Sequence, residues 1–178
     1  PYLEEVEDFT PYLERLKRRG VGLVFIAGLD AGAGRIITQA RKVGLAARFL
    51  GGDGLEPLAA QGSSYNGTMV GALYHPESSA AAGDFAAAFR EKYNREADGF
   101  AAAAYDAVHL LALAAETAGA ERTAIQRYLA GVGQEGGQSA FAGATGTIRF
   151  DENGDPMNKD FTVGVIRDGT IQLVGSSR

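Results

Sequence analysis

Residues 21–54 read VGLVFIAGLDAGAGRIITQARKVGLAARFLGGDG. The apolar run at 21–26 closes on Ala27-Gly28 and predicts a short, buried parallel strand. Ile36, Ile37, Ala40 and Val43 then recur at helical spacing, with Gly44 beyond the helix end. Residues 47–50 predict a second strand, which stops at the turn Gly51-Gly52-Asp53-Gly54. Strand, helix and strand with short connections are the pattern of an open sheet wound by right-handed crossovers.

The flanks extend that pattern. Thr10-Pro11 predicts a helix start, the hydroxyl as N-cap and the proline at the first helical position. Tyr12, Leu13 and Leu16 carry the helix, and Gly20 ends it after Lys17-Arg18-Arg19. Downstream, one or two helical turns are expected near 56–61 and a third strand at 68–74, ending at His75-Pro76. Alanine-rich helices follow at 80–94 and 100–118, with a shorter one at 123–129. A glycine-rich stretch, 131–146, separates them from strands expected at 146–150, 161–167 and 170–174. Asp168-Gly169 is a two-residue hairpin signal between the last two. The fold class is α/β: an open, mostly parallel sheet with flanking helices.

Composition narrows the function. The chain has 178 residues, 46% hydrophobic and 22% charged, the profile of a globular domain. Its net charge of -5 offers no broad basic footprint, so nucleic acid is not an expected partner. No apolar run approaches the roughly 18 residues that span a bilayer. Cysteine is absent, which removes disulfides, thiolate metal sites and cysteine nucleophiles. His75 and His109 are too far apart in sequence for an H-x-x-x-H metal pair, so neither a metal nor a cofactor is expected. The chain opens at Pro1 without an initiator Met, which reads as a processed chain or a fragment.

Several motifs invite chemistry. Gly32-x-Gly34, after a strand and before a helix, has part of the dinucleotide-binding spacing, but Ile37 stands at the third glycine position and no Lys-Ser/Thr follows as in a P-loop. Asp151-Glu152-Asn153-Gly154-Asp155 resembles the opening of a calcium loop, but Pro156 replaces the required glycine and Thr162 the bidentate Glu; an Asx-rich turn explains it better. Ser63-Ser64 and Ser78-Ser79 lack a nearby base or nucleophile elbow, so no catalytic residue is expected. His109, beside Leu110 and Leu111, is expected to pack in the core, with Asp106 in reach of a local contact. Asp53 is the most informative charge. Flanked by Gly51, Gly52 and Gly54 at the carboxyl end of an expected strand, it is either the acceptor for a cationic ligand group or a solvated turn residue.

Taken together, the segments resemble a known family. Asp8-Phe9-Thr10-Pro11, Gln39-Ala40-Arg41-Lys42-Val43-Gly44-Leu45, Phe49-Leu50-Gly51-Gly52-Asp53-Gly54, Ala104-Tyr105-Asp106-Ala107-Val108 and the ending with Gly146, Phe150 and Asp151-x-Asn153-Gly154 occur in its order. The chain is similar to periplasmic solute-binding proteins of branched-chain amino-acid ABC transporters, over nearly its whole length.

The resemblance implies a type I periplasmic-binding-protein fold: two α/β lobes joined by three crossovers, closing on ligand, with this chain its carboxyl-terminal half. By that likeness residues 1–74 and 150–178 belong to lobe two and residues 77–145 to the helical part of lobe one. Hinges fall near 74–76 (Tyr74, His75, Pro76) and 145–151. The family's ammonium-binding acid falls on Asp53, with Gly54 beside it; Leu29 and Asp30 line the same mouth, and Phe100 matches an aromatic that packs on the ligand side chain or else packs its own helix.

The implied function is capture of a small amino acid or related ligand for an ABC permease, without chemistry, in the periplasm or tethered outside the membrane. A ligand-sensing domain on the same scaffold, or a nucleotide-dependent α/β enzyme using Gly32-x-Gly34, are the alternatives. Residues for the ligand carboxylate come from the family's amino-terminal half. The piece alone is therefore expected to bind weakly and, with an apolar helix face uncovered, to self-associate.

Overall fold

In the computed structural model, which describes residues 6–159 and 161–177, β1 (Leu23–Ile26) runs parallel to β2 (Arg48–Gly51), pairing Leu23 with Arg48 through to Ile26 with Gly51. The helix between them, α2 (Asp30–Lys42), buries Ala33, Gly34, Ile36, Ile37 and Ala40. That is the stripe its sequence spacing defines. β3 (Met69–Ala72) continues the sheet parallel to β2. The tail adds β6 (Phe161–Arg167) and β7 (Thr170–Ser177), giving the order β1-β2-β3-β6-β7.

β6 and β7 form the expected hairpin. Asp168 and Gly169 have φ of 48° and 86°, the paired left-handed residues that let a two-residue turn match the twist of its strands. Ile166 donates to the Thr68 carbonyl and accepts from the Gly67 N–H, both at 2.9 Å, two residues facing one as in an antiparallel pair with a bulge. The sheet is therefore mixed.

The first helix, α1 (Thr10–Arg18), corrects one expectation: Thr10 lies inside the helix and Phe9 is its N-cap. The Tyr12 and Leu13 N–H groups, which a Thr10 cap would have bonded, donate to the Phe9 carbonyl at 3.1 and 3.0 Å, and the Thr10 N–H donates to the Asp8 carboxylate at 2.9 Å. Leu13 is buried with Phe9, Ile26, Ile36, Ile37, Phe49, Leu55, Leu58, Val70 and Ile166 in one core, where each large side chain contributes about 1.5–3 kcal/mol.

The chain divides into two compact units. One takes the sequence up to Ala72 with Val163–Gly175, and the other takes Leu73–Thr162. In the second, Ser79 caps α3 (Ala80–Tyr93) through its hydroxyl on the Ala82 N–H at 3.1 Å. Asp98 caps α4 (Gly99–Ala118) through its carboxylate on the Ala101 N–H at 2.7 Å. Both caps are side chains whose oxygen reaches the third residue on. Buried Ala82, Ala86 and Ala102 pack with Tyr74 and Phe85. α5 (Arg122–Ala130) packs on α4, where Tyr128 joins Leu110, Ala114 and Val132.

Three more expectations are corrected. The third strand ends at Ala72, because Tyr74 turns into the second unit's core, edge-on to Phe85 with ring centroids 5.5 Å apart. The strand expected at 146–150 is β5 (Gly146–Ile148), and its partner β4 (Phe141–Gly143) lies in the glycine-rich stretch expected only to separate helices from strands. The strands of this hairpin are three residues each and carry Gly143, which is buried, and Gly146, which is half-buried, so neither shows a strand's side-chain alternation. His109 is exposed and stacks on Tyr105, centroids 4.1 Å apart, because the buried stripe of α4 runs one position away through Ala102, Asp106, Leu110 and Ala114.

Candidate functional site

The parallel register builds the site. Because Ile26 faces Gly51, the residues leaving β1, Ala27 to Asp30, and those leaving β2, Gly52 to Gly54, emerge side by side at the carboxyl ends of the strands. Open α/β sheets bind ligands at that end. The two bends touch. A Cβ on Gly54 would lie 2.7 Å from the Gly28 carbonyl oxygen and 3.1 Å from Leu29 Cδ2, so glycine is required there by space.

Asp53 opens a 3₁₀ segment, Asp53–Gln61, longer than the turn or two expected near 56–61. Its carboxylate is half-buried and makes no hydrogen bond or ion pair among the described residues. Leu29 is 65% exposed and lies against Gly54. Asp30 is committed elsewhere: it accepts from Gln61 Nε2 at 2.9 Å, tying the start of α2 to the end of the 3₁₀ segment. A cavity of about 520 Å³ reaches from Gly28 and Leu29 to Phe9 and Arg35. Gly34 explains half of the apparent dinucleotide spacing, since a Cβ there would lie 2.9 Å from the Tyr65 hydroxyl. Its role is close packing of helix on loop.

Phe100 sits in the first turn of α4, half-exposed. Tyr74 is buried, and its hydroxyl donates to the Ala82 carbonyl at 3.4 Å. His75 Nδ1 accepts from the Glu77 N–H at 3.2 Å and its carbonyl from Ser78, so residues 75–78 form a tight turn ahead of α3. Asp53, Gly54, Leu29 and Asp30 are thus brought together in the first unit, while Phe100, Tyr74, His75 and Pro76 lie in the second. Residues 145–151 also lie within the second unit.

At 151–155 the Asx-rich turn is what forms. Asp151 Oδ1 accepts from the Asp155 and Asn153 N–H groups, both at 2.8 Å. Those bonds, Asp155's first, hold the Asp151 carboxyl below the usual carboxylate range. No group of three or more potential ligand side chains that could hold a metal occurs among the described residues.

Sequence reasoning missed the most heavily bonded carboxylate. Asp106, 1% exposed, accepts from the Ala144 N–H at 2.7 Å, the Thr145 N–H at 2.8 Å and the Thr145 hydroxyl at 2.7 Å. Lys159 Nζ donates to the same hydroxyl oxygen at 2.7 Å. The signal was available: Asp106 is the one charge on the stripe Ala102, Leu110, Ala114. A buried charge on an apolar stripe requires a partner.

What the unpaired Asp53 carboxylate can do is accept hydrogen bonds from a cation beside an aliphatic surface. Known proteins share the scaffold that presents it. The leucine-, isoleucine-, valine-, threonine- and alanine-binding protein of Pseudomonas aeruginosa is 32% identical over 164 residues, 88% of this chain and 41% of that protein. A leucine-binding protein from Thermotoga maritima superposes with a TM-score of 0.84 at 28% identity, over 98% of this chain and 50% of the other. A branched-chain amino-acid substrate-binding protein from Streptococcus pneumoniae, solved with isoleucine, gives 0.77 at 28%, over 97% and 50%. The chain thus spans about half the length of these relatives or less. A family model described as periplasmic binding protein matches residues 2–170, and by that match the chain belongs to the periplasmic binding protein family.

Proposed function

We propose that the chain forms part of the ligand site of an ABC-importer solute-binding protein, with Asp53 as acceptor for the ammonium of a small amino acid or a related ligand. The observation that carries this is a half-buried carboxylate with no partner among the described residues, held on a glycine bend against Gly28 and Leu29. A dehydrated ammonium bonded there would be a charge-assisted pair, roughly twice as strong as a neutral one. Gly54 lets ligand approach the backbone, Leu29 offers aliphatic contact, and Asp30 holds the mouth through Gln61.

Phe100 supplies an aromatic contact from the other lobe, and Tyr74, His75 and Pro76 with residues 145–151 serve as hinge. In this reading the first unit corresponds to lobe two and the second to the helical part of lobe one. The protein does no chemistry: closure around the ligand presents it to the permease, in the periplasm or from a tether outside the membrane. The names of the relatives at about 30% identity, several of them Leu/Ile/Val-binding proteins, favour a branched-chain amino acid. The 178-residue piece alone self-associates through α4, where Val108 is 64% and Leu111 46% exposed.

The test is a thermal-shift screen of the full-length protein against amino acids and amides. A ligand at a hundredfold excess over Kd should add about 2.7 kcal/mol of stability. Asp53→Ala should abolish that gain for amino-bearing ligands. An undiminished gain in the variant removes Asp53 from the site.

A further inference from the structure

Six basic residues stand on elements that meet at the other end of the strands. Arg15, Lys17, Arg18 and Arg19 come from the end of α1, Lys42 from the last residue of α2 and Arg48 from the first of β2. Two contacts bring these elements together. The Lys17 ammonium donates to the Val43 carbonyl at 2.7 Å, joining the carboxyl ends of the helices. The Arg48 N–H donates to the Gly22 carbonyl at 3.0 Å, setting the start of β2 beside the segment leaving α1.

All six are exposed. Glu14, 3.8 Å from Arg18, is the one acid paired with any of them among the described residues. Arg41 is turned to the Ser64 and Asn66 carbonyls, and Arg167 and Asp168 at the β6–β7 turn cancel. Six cations less Glu14 leave +5 here, so the rest of a chain of net charge -5 carries -10.

A helix carboxyl end attracts a cation because its last carbonyls are unpaired, and Lys17 answers that demand on Val43. Arg15, Arg19, Lys42 and Arg48 make no side-chain hydrogen bond or ion pair among the described residues. They are a surplus that the helix dipoles do not require.

We infer that this end of the first unit docks onto an anionic lipid surface. The charges ride on long stems from three separate elements and converge on no single acceptor. That arrangement suits a fluid layer of monovalent head groups better than the fixed carboxylates of a folded partner. The negative charge elsewhere in the chain is repelled by the same surface, which favours approach with this end first.

Cosedimentation of the protein with vesicles tests it, using phosphatidylcholine alone and phosphatidylcholine mixed with phosphatidylglycerol, at low and high salt. Binding to the mixed vesicles only, lost at high salt, is expected. Each basic residue near an anionic surface is worth about fivefold, so Arg15→Glu/Arg18→Glu/Arg19→Glu should lower partitioning by about a hundredfold or more. Lys42→Glu/Arg48→Glu, on other elements, should lower it at least about twenty-fivefold, and serves if the first variant melts early.

No binding, equal binding to both vesicle types, or unchanged partitioning in both variants overturns the inference. Retention on immobilised polyglutamate without vesicle binding overturns it in favour of an acidic protein partner. The substituted residues lie at the opposite strand ends from Asp53, so ligand-induced thermal shifts should survive in both variants. Failure here therefore leaves the ligand site standing.

Discussion

Gly54 and Gly28 approach so closely that a Cβ on the first would sit 2.7 Å from the carbonyl oxygen of the second. The obstructing atom is backbone, fixed by the β1–β2 register, and cannot rotate away. Gly54→Ala should therefore force the 52–54 bend off the 28–29 bend, at a cost of about 1–3 kcal/mol. Ligand-induced stabilisation should fall with it although Asp53 is untouched. Thermal unfolding with and without ligand reads both effects, and wild-type values for both would show that the two bends have slack.

Asp53→Asn separates binding from folding. The Asp53 carboxylate has no partner among the described residues, so neutralising it should change the unfolding free energy by less than about 0.5 kcal/mol. Ligand stabilisation should drop sharply, because the amide offers a neutral acceptor where an ammonium needs a charged one. A large loss of stability in the ligand-free variant would mean that Asp53 serves the fold.

Legibility in the sequence followed the range of the interactions. Strand β1, helix α2, the Asp168-Gly169 hairpin and the bend at Asp53 rest on local periodicity and turn chemistry, and each lies within a few residues of its expected place. The juxtaposition of Asp53, Gly54 and Leu29 follows once two parallel strands are placed in register. What escaped depends on contacts distant in sequence. The β4–β5 hairpin is held by Asp106, 38 residues from Ala144, and no window of sequence contains both. The hydroxyl of Thr10 has the chemistry of a helix cap, but the Phe9 carbonyl takes the Tyr12 and Leu13 N–H groups and starts the helix one residue earlier. His109 was misplaced by a single step around α4, the margin by which alanine-rich helices blur their own buried face.

Asp106→Ala should be among the most damaging single substitutions in the second unit. It strands the Ala144 and Thr145 N–H groups in a buried turn and leaves a void beside Gly143. Each buried donor left unpaired costs about 1–3 kcal/mol, so a loss of about 3 kcal/mol or more is expected in denaturant unfolding. Thr145→Val, which removes the hydroxyl and keeps the backbone donors, should cost roughly 1 kcal/mol. Equal losses in the two variants would shift the main role from the carboxylate to the hydroxyl.

Acid stability should depend partly on Asp151. Its carboxyl is held below the ordinary range by the backbone N–H groups of Asp155 and Asn153, so the folded chain releases this proton more readily than the unfolded one. Stability from this source is present above the ordinary carboxylate range and is lost as pH falls through the depressed folded value. Asp151→Asn should flatten the acid side of a stability–pH curve and leave its slope near neutrality unchanged. An acid limb identical to wild type would show that the turn holds without the charge.

Phe100→Ala decides between the two roles open to this aromatic. A ring that packs its own helix would lose about 3–5 kcal/mol of stability on truncation, as buried aromatics do. Phe100 is 50% exposed in the first turn of α4, and Asp98 already caps that turn on the Ala101 N–H. The expected cost is therefore below about 1 kcal/mol, because exposure leaves little apolar area to lose. If the ring covers ligand on closure, the same substitution should weaken binding by about 2 kcal/mol, nearly thirtyfold in Kd, through its lost apolar contact. Unfolding of the ligand-free protein and calorimetric titration of the full-length one separate the outcomes. Unchanged affinity with a large loss of stability assigns Phe100 to the helix.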